Sequence, residues 1–125
     1  MQSSEQVNEL FKALSAAQAE IREAPKDSVN PHFKSSYADL SSVWAVCRTP
    51  LTKHGLAILQ SPSTTERGEI KITTRLGHTS GQWVEGELTL TPRDQSPQSA
   101  GSCISYGRRY ALMSFLGVAP GDDDG

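Results

Sequence analysis

Apolar residues recur at helical spacing near the start of the chain and at alternating positions in its middle. The helical spacing predicts an amphipathic helix over residues 5–24. Ser3 and Gln6 have the spacing of a capping box at its start, and Pro25 is expected to end it. The apolar stripe of this helix is a packing surface, either on the core of the same chain or on a neighbouring subunit.

A second helix is predicted to follow a loop and to end before the middle segment. It begins near Ser36, with Asp39 three positions on as its capping partner, and Gly55 ends it. Because proline has no N–H to donate in mid-helix, Pro50 is expected to cause a kink or a fresh turn with Thr49 as cap.

The middle segment alternates apolar and polar residues, which predicts strands. The three predicted strands are Leu56–Gln60, Glu69–Leu76 and Gln82–Thr91. Such alternation is typical of an antiparallel meander with one face in water. A last helix covers residues 98–116, and Gly117 ends it. The order α-α-β-β-β-α, with one three-stranded sheet packed with helices on one side, predicts the α+β class.

The composition indicates one globular domain, and it limits the cellular compartments in which the protein is expected. The chain has 125 residues, 36% of them hydrophobic and 21% charged, which fits a single polar domain with its own core. It contains no run of about 18 apolar residues that would span a membrane, and no secretory signal at its start. Cys47 and Cys103 are therefore expected to be reduced thiols of a cytoplasmic protein.

The net charge of −2 conceals a gradient along the chain. Residues 26–121 carry ten Lys and Arg against seven Asp and Glu, a net charge of +3, between acidic ends. A mildly basic middle permits a nucleic-acid partner, but useful affinity requires its cations on one face. Asp122, Asp123 and Asp124 favour a solvated tail over a metal site, because adjacent carboxylates point in different directions.

Residues that would carry covalent or metal chemistry are not grouped in this sequence. His32, His54 and His78 are far apart and none has metal-ligand spacing, so no metal site is expected. There is neither a Gly-x-Ser-x-Gly elbow nor a Gly-rich loop for nucleotide phosphates. We therefore predict no enzymatic activity and no cofactor. A nuclease would need clustered carboxylates, which only the terminal aspartates offer.

The third helix contains the residues that most indicate a binding site. Its first turns are small and polar and include Ser99 and Ser102, which suit either a phosphate site at the helix start or close packing. Arg108 and Arg109 are costly to bury unpaired, so they meet either carboxylates at a subunit contact or phosphates. The flanking tyrosines, Tyr106 among them, either stack on bases or anchor the core.

A second candidate site lies in the loop before the second helix. Lys34, Ser35 and Tyr37 combine basic and hydroxyl groups next to a helix start, which suits a backbone phosphate. The alternative is a surface loop with Phe33 turned inward. Cations expected along the water-exposed side of the sheet, where they usually only aid solubility, are Lys71, Arg75 and Arg93.

Two long runs in these regions resemble the signatures of the Erf (essential recombination function) family of phage and prophage single-strand annealing proteins. They are residues 30–40, with the sequence NPHFKSSYADL, and residues 96–112, with the sequence SPQSAGSCISYGRRYAL. A short Leu-Gly-Val-Ala stretch and the acidic terminus follow the second run. The resemblance extends over residues 7–125, which is nearly the whole chain.

The resemblance implies ATP-independent annealing of complementary single-stranded DNA in phage or prophage homologous recombination, in the cytoplasm of the bacterial host. It implies a homo-oligomeric ring or helical filament, a phage exonuclease as a further partner, and a core similar to that of the ring-forming eukaryotic annealing protein. Residues 1–121 would form the annealing and oligomerisation domain, and residues 122–125 an acidic tail or the start of a linker. The basic pair that contacts the DNA backbone in that larger group corresponds to Arg108 and Arg109.

The predicted DNA-binding set joins the two candidate regions. Its members, in decreasing order of expectation, are Arg108, Arg109, Lys34, Ser35, Tyr37, Ser99, Ser102 and Tyr106. Two other functions remain open on sequence alone. One is a passive protein that protects single-stranded DNA without pairing it, and the other is an assembly protein whose arginines only bridge subunits.

Overall fold

The computed structural model describes residues 1–24, 28–30, 35–37 and 39–119, with the backbone alone for 28–30 and 35–37. The elements in chain order are β1 (Gln2–Ser3), α1 (Asn8–Glu20), β2 (Ser28–Asn30), β3 (Ser35–Tyr37), α2 (Leu40–Lys53), β4 (Leu56–Thr64), β5 (Ile70–His78), β6 (Trp83–Leu90) and α3 (Pro97–Leu116). Helices and an antiparallel sheet give the α+β class that the sequence predicted. Helix α3 ends as predicted at Gly117, where φ is 71°.

The main sheet has four strands in the order β1-β6-β5-β4, all paired antiparallel, so the predicted set of three strands is incomplete. In the additional strand, β1, Gln2 lies opposite Glu85. Ser4 continues this pairing, because its amide donates to the Trp83 carbonyl and its Oγ accepts from the Trp83 amide, both at 2.9 Å. A two-residue strand has no hydrophobic period, which is why the sequence pattern does not reveal it.

Helix α1 starts at Asn8, later than predicted, and Ser3 is not its cap because Ser3 lies in β1. The N-cap residue, Val7, makes no side-chain cap bond. Instead, the Gln82 side chain in the β5–β6 turn accepts a hydrogen bond from the Leu10 amide at 2.9 Å and donates one to Asn8 Oδ1 at 3.1 Å. A side chain distant in sequence thus satisfies an amide that a helix start leaves without an intrahelical partner.

The segment before α2 forms a second, two-stranded sheet in which β2 and β3 are antiparallel. Ser36 lies in β3, so the helix start predicted there is wrong. Helix α2 begins at Leu40, and Asp39 is itself the N-cap, because its Oδ1 accepts from the Ser42 amide at 2.8 Å. The prediction took Asp39 for the acidic partner three positions after a Ser36 cap, since spacing alone does not show which acidic or hydroxyl residue is the cap.

Helix α2 is continuous through Pro50, so the fresh turn predicted with Thr49 as its cap does not occur. Proline removes one donor, but the Pro50 carbonyl still accepts from the His54 amide at 3.3 Å, so hydrogen bonding resumes directly after it. The helix ends at Lys53, and Gly55 follows with φ of 73°, in the left-handed region that favours glycine. The predicted end at Gly55 is confirmed.

The inner face of the sheet is apolar, and helices cover it. Alternate residues of β5, Ile70, Ile72, Thr74 and Leu76, are buried, as the alternation predicted. One large core cluster joins residues of all three helices to the sheet, and a smaller one lies between β5 and the middle of α3, where Ala111 meets the strand. Helix α3 therefore has one side in the core and the other side in water.

Gly107 allows α3 to lie unusually close to the sheet. A Cβ atom at this position would be 2.8 Å from both Ile72 Cγ1 and Leu90 Cδ1, which is closer than carbon atoms pack. Gly107 is buried, and Ile72 is completely buried beneath it. Because glycine has no side chain, α3 lies close to the sheet here, and this approach determines how far the residues around Gly107 stand from the sheet.

The ends of α1 and α2 are joined by a small charged cluster. Helix α1 ends at Glu20, ahead of the predicted end at Pro25, which lies outside the described residues. The Glu20 carboxylate accepts a hydrogen bond from Lys53 Nζ at 2.9 Å and also contacts His54 Nε2. Hydrogen bonds with His54 and then with Lys53 lower the pKa of Glu20 from its ordinary value of 4.5.

We expect Glu20→Gln to flatten the acid dependence of stability. A carboxyl group whose pKa falls on folding stabilises the protein above its unfolded pKa, and this contribution disappears as the pH falls through the folded value. The loss therefore begins below the ordinary Glu20 pKa of 4.5. The effect should be modest, because exposed ion pairs contribute little. Melting temperatures measured between neutral pH and about pH 3 should fall more steeply for the wild type than for the variant, and parallel curves would contradict this expectation.

Candidate nucleic-acid interface

The start of α3 is capped by nearby side chains of the same chain. Ser96 is the N-cap, and its Oγ accepts from the Ser99 amide at 3.1 Å. Asp94 Oδ1 accepts from the Ser96 amide at 2.8 Å, and hydrogen bonds with Ser96 and then Ser99 lower the pKa of Asp94. A phosphate on these amides would have to replace an acceptor already in place and would lie beside a carboxylate. The geometry therefore favours a capping role for this turn over a phosphate site on the helix amides.

A groove of about 670 Å³ lies between the end of β6 and the first turns of α3. Its lining includes Ser99, Ser102 and Tyr106, so three of the predicted DNA-binding residues share one surface. Arg93 also lines the groove. The sequence placed Arg93 on the water-exposed side of the sheet, but β6 ends at Leu90, so the loop that follows carries Arg93 to α3 instead. The groove thus gains a cation that the sequence analysis assigned elsewhere.

Four predicted residues lie along one side of α3. Ser99, Ser102, Tyr106 and Arg109 are three or four positions apart, which aligns them on a single helix face. We call this row the α3 stripe. It faces away from Gly107, whose side of the helix is packed on the sheet. The stripe therefore combines two hydroxyls, an aromatic ring and a guanidinium along the water-facing side of the helix.

Tyr106, Arg109 and Tyr110 form a compact group, the tyrosine–arginine cluster. The two ring centroids are 4.5 Å apart with an interplanar angle of 41°, and Arg109 Cζ lies 5.4 Å from the Tyr106 centroid and 4.9 Å from the Tyr110 centroid. A hydrogen bond with Tyr110, and secondarily burial, raises the pKa of Tyr106. Tyr106 and Tyr110 are 50% and 47% exposed. Of the two roles that the sequence left open for the tyrosines, this exposure favours the surface role over core anchoring.

Arg108 points to a different side of α3 from Arg109, because successive helical residues are about 100° apart. Its backbone carbonyl accepts a hydrogen bond from Gln60 Nε2 at 3.0 Å, and the same nitrogen donates to Thr74 Oγ1 at 3.1 Å. In the part of the chain that the structure describes, no carboxylate forms an ion pair with Arg108. Gln60 is not among the predicted site residues, and its signal in the sequence is a polar residue at an inward-facing position of β4.

A family match covers both the groove and the helix. The model of the ERF superfamily matches residues 10–125. The chain belongs to the ERF superfamily. The resemblance carried by the two signature runs is thereby confirmed, and membership of this superfamily supports a link with phage recombination. No curated protein and no solved structure matches the chain, so the similarity to the core of the ring-forming eukaryotic annealing protein stays a prediction.

In this ERF-superfamily protein, the second signature run forms the N-cap and most of α3, whereas much of the first run lies outside the described residues. Lys34 is among those outside. Ser35 and Tyr37 lie in β3, where their backbones are opposite Asn30 and Ser28, and their side chains are not among the described atoms. The fold thus aligns Ser99, Ser102, Tyr106 and Arg109, with Arg108 on another side of α3, and the DNA-binding roles of the α3 and loop residues alike stay predictions.

The outer face of the main sheet carries cations that are paired with carboxylates. Arg75 Nε donates to Glu85 Oε1 at 2.8 Å, and the Arg75 guanidinium lies 3.9 Å from the centroid of the Trp83 ring. Lys71 Nζ is 4.0 Å from a carboxylate oxygen of Glu87. Because each of these two cations has an acidic neighbour, its positive charge is partly neutralised on this face.

The described residues provide neither a metal-binding group nor a membrane-spanning helix, and both cysteines are free thiols. Over the described ranges, no group of three or more His, Cys, Asp or Glu residues is placed to hold a metal ion, and Asp122, Asp123 and Asp124 lie outside those ranges. No helix in the described part of the chain is long and apolar enough to cross a membrane. Cys47 and Cys103 are both free, and burial raises the pKa of the Cys47 thiol.

Proposed function

We propose that this ERF-superfamily protein binds single-stranded DNA and anneals complementary strands without ATP during phage or prophage recombination. The observation that carries the proposal is the α3 stripe, a water-facing row of hydroxyl, aromatic and cationic groups within the longer signature run. The family match over residues 10–125 supports the setting in recombination.

The chemistry of the α3 stripe suits a site that does not read sequence. An annealing protein has to hold the DNA backbone while the base edges stay free to test pairing, so cations and hydroxyls serve it better than base-reading contacts. Arg109 supplies a positive charge, and Ser102 supplies an exposed hydroxyl on the same side of the helix. Arg93 adds a second cation at the groove that Ser102 also lines.

A homo-oligomer is the second part of the proposal. The net charge of +3 over residues 26–121 is small for one protomer that has to bind DNA tightly. A ring or helical filament would repeat the same weak site along one strand and convert modest contacts into avidity. A phage exonuclease that generates single-stranded ends would supply the substrate of such an oligomer.

The test is the annealing of two complementary fluorescent oligonucleotides without ATP, at low and at moderate salt. We expect the protein to accelerate annealing over the spontaneous rate, and the acceleration to weaken as salt rises because phosphate contacts release counterions. Single-strand binding without acceleration would instead support a passive protective protein. Failure to bind at low salt, with intact oligomers in light scattering, would support an assembly protein and overturn the proposal.

A further inference from the structure

We propose that the tyrosine–arginine cluster is a stacking platform for nucleobases, on which a base of single-stranded DNA lies against Tyr106 or Tyr110 while Arg109 holds an adjacent phosphate. This inference rests on the proposed binding of single-stranded DNA and specifies how that binding is achieved at one site. It assigns a contact to Tyr110, which the predicted DNA-binding set does not include.

The exposure of the two rings is the first argument. About half of each side chain is in water, at 50% for Tyr106 and 47% for Tyr110, and neither belongs to a core cluster. The helix does not need them for anchoring, because Ala111 and Leu112 attach α3 to the core from its other side. Large aromatic surface left in water on a polar domain is available to a partner that buries it.

The order of the cluster is the second argument. The centroids of the two rings are 4.5 Å apart, and Arg109 Cζ lies 5.4 Å from the Tyr106 centroid and 4.9 Å from the Tyr110 centroid. Cation–π contacts of this kind hold the three side chains in one arrangement before a ligand arrives. Pre-ordering lowers the entropy lost on binding, so more of the stacking energy appears as affinity.

The chemistry of stacking is the third argument. Every base has a π-face, so stacking on aromatic rings tolerates any sequence, and it leaves the hydrogen-bonding edge of the base free to pair. A cation beside the rings matches the phosphate that accompanies each base. Tyr106 also lines the groove that contains Arg93, so the platform continues into a surface with a second positive charge. This combination fits single-stranded DNA better than duplex DNA, whose bases are already stacked on one another.

The experiment uses the full chain and two kinds of oligonucleotide. The first kind is an oligothymidine compared with an abasic strand of equal length and charge, and the second carries one 2-aminopurine, whose fluorescence is quenched by stacking. The variants are Tyr106→Leu with Tyr110→Leu, which removes the rings, and Tyr106→Phe with Tyr110→Phe, which removes only the hydroxyls. Circular dichroism and light scattering establish that each variant is folded and assembled as the wild type is.

We expect the wild type to bind oligothymidine roughly 10- to 100-fold more tightly than the abasic strand and to quench 2-aminopurine, because one or two stacked bases are lost with the abasic strand. The leucine pair should lose both effects, and the phenylalanine pair should retain them. Equal affinity of the wild type for the two strands without quenching would overturn the platform and leave the proposed single-strand binding intact.

Other outcomes also decide the question. If the leucine pair alters the oligomer while the wild type shows no preference for bases, the cluster is a contact between copies of the chain and the platform is wrong. If the wild type binds neither strand at low salt, the proposed binding of single-stranded DNA is wrong, and the platform that rests on it is wrong as well. The comparison of strands needs no substitution, so a variant that fails to fold does not prevent a decision.

Discussion

Replacing Arg108 and Arg109 together with alanine should abolish detectable binding of single-stranded DNA and, with it, annealing. Charge-assisted hydrogen bonds contribute about 1.5–3 kcal/mol each, so the loss of two corresponds to more than roughly 100-fold in affinity. The fold should survive, because both side chains are only half-buried and neither belongs to a core cluster. Fluorescence anisotropy with a labelled oligonucleotide measures the affinity, and the slope of its salt dependence should also decrease.

The single variants separate the two arginines. Arg109 lies in the α3 stripe next to the exposed tyrosines, whereas Arg108 projects about 100° away around the helix, on the side where Gln60 meets its carbonyl. If DNA contacts only the α3 stripe, we therefore expect Arg109→Ala to account for most of the affinity that the double variant loses. Similar losses from both variants would mean that the DNA contacts two sides of α3.

The control for charge is Lys12→Ala with Arg22→Ala. Both side chains are exposed, on α1 and just after it, and the double variant changes the net charge by the same amount as the arginine pair. It should reduce binding only slightly, through long-range electrostatics. Wild-type affinity in the Arg108 and Arg109 variant, with intact oligomers, would show that these arginines do not contact DNA.

Gly107→Val should destabilise the protein by about 2–3 kcal/mol, because side-chain atoms added at a packed site force their neighbours out of place. The first added carbon alone would lie 2.8 Å from Ile72 Cγ1 and Leu90 Cδ1. Ile72 is fully buried and cannot move aside, so α3 must lift from the sheet. For a chain of this size the melting temperature should fall by roughly 10 °C.

The matched control for this substitution is Gly101→Val in the same helix. A Cβ atom at Gly101 meets nothing within 4 Å, so the change affects only helix propensity, where valine is slightly better than glycine. Urea unfolding of the two variants should therefore differ by about 2–3 kcal/mol. Equal stabilities would show that α3 does not approach the sheet as closely at Gly107 as the structure indicates.

The sequence predicted those features that depend on neighbouring residues. Alternation along β5, the extent of α3, and the glycine ends at Gly55 and Gly117 all follow from local patterns, and all are found in the structure. A local signal fails where two local structures compete for the same residues. Ser36 has the spacing of a cap, but its backbone pairs across β2–β3 instead, and α2 begins only after Asp39.

Features that join distant parts of the chain left no such pattern. The Gln82 side chain caps α1 from the β5–β6 turn, and Ser4 extends β1 along Trp83. Gln60 on β4 donates to the carbonyl of Arg108 on α3. Each of these hydrogen bonds requires two elements to be packed already, so none has a fixed spacing that sequence analysis can detect.

The candidate site shows the same division. The sequence by itself determined the α+β class, the family and the residue types on α3, because these follow from period, composition and a long signature run. Only the tertiary structure decided which of them act together. Burial of the Gly107 side of α3 against the sheet turns Ser102, Tyr106 and Arg109 toward water, and it places Arg108 on the side where Gln60 meets its carbonyl. The helical period sets the angle between Arg108 and Arg109, but it does not show which side faces water, because a helix has no packed side until the sheet beneath it has formed.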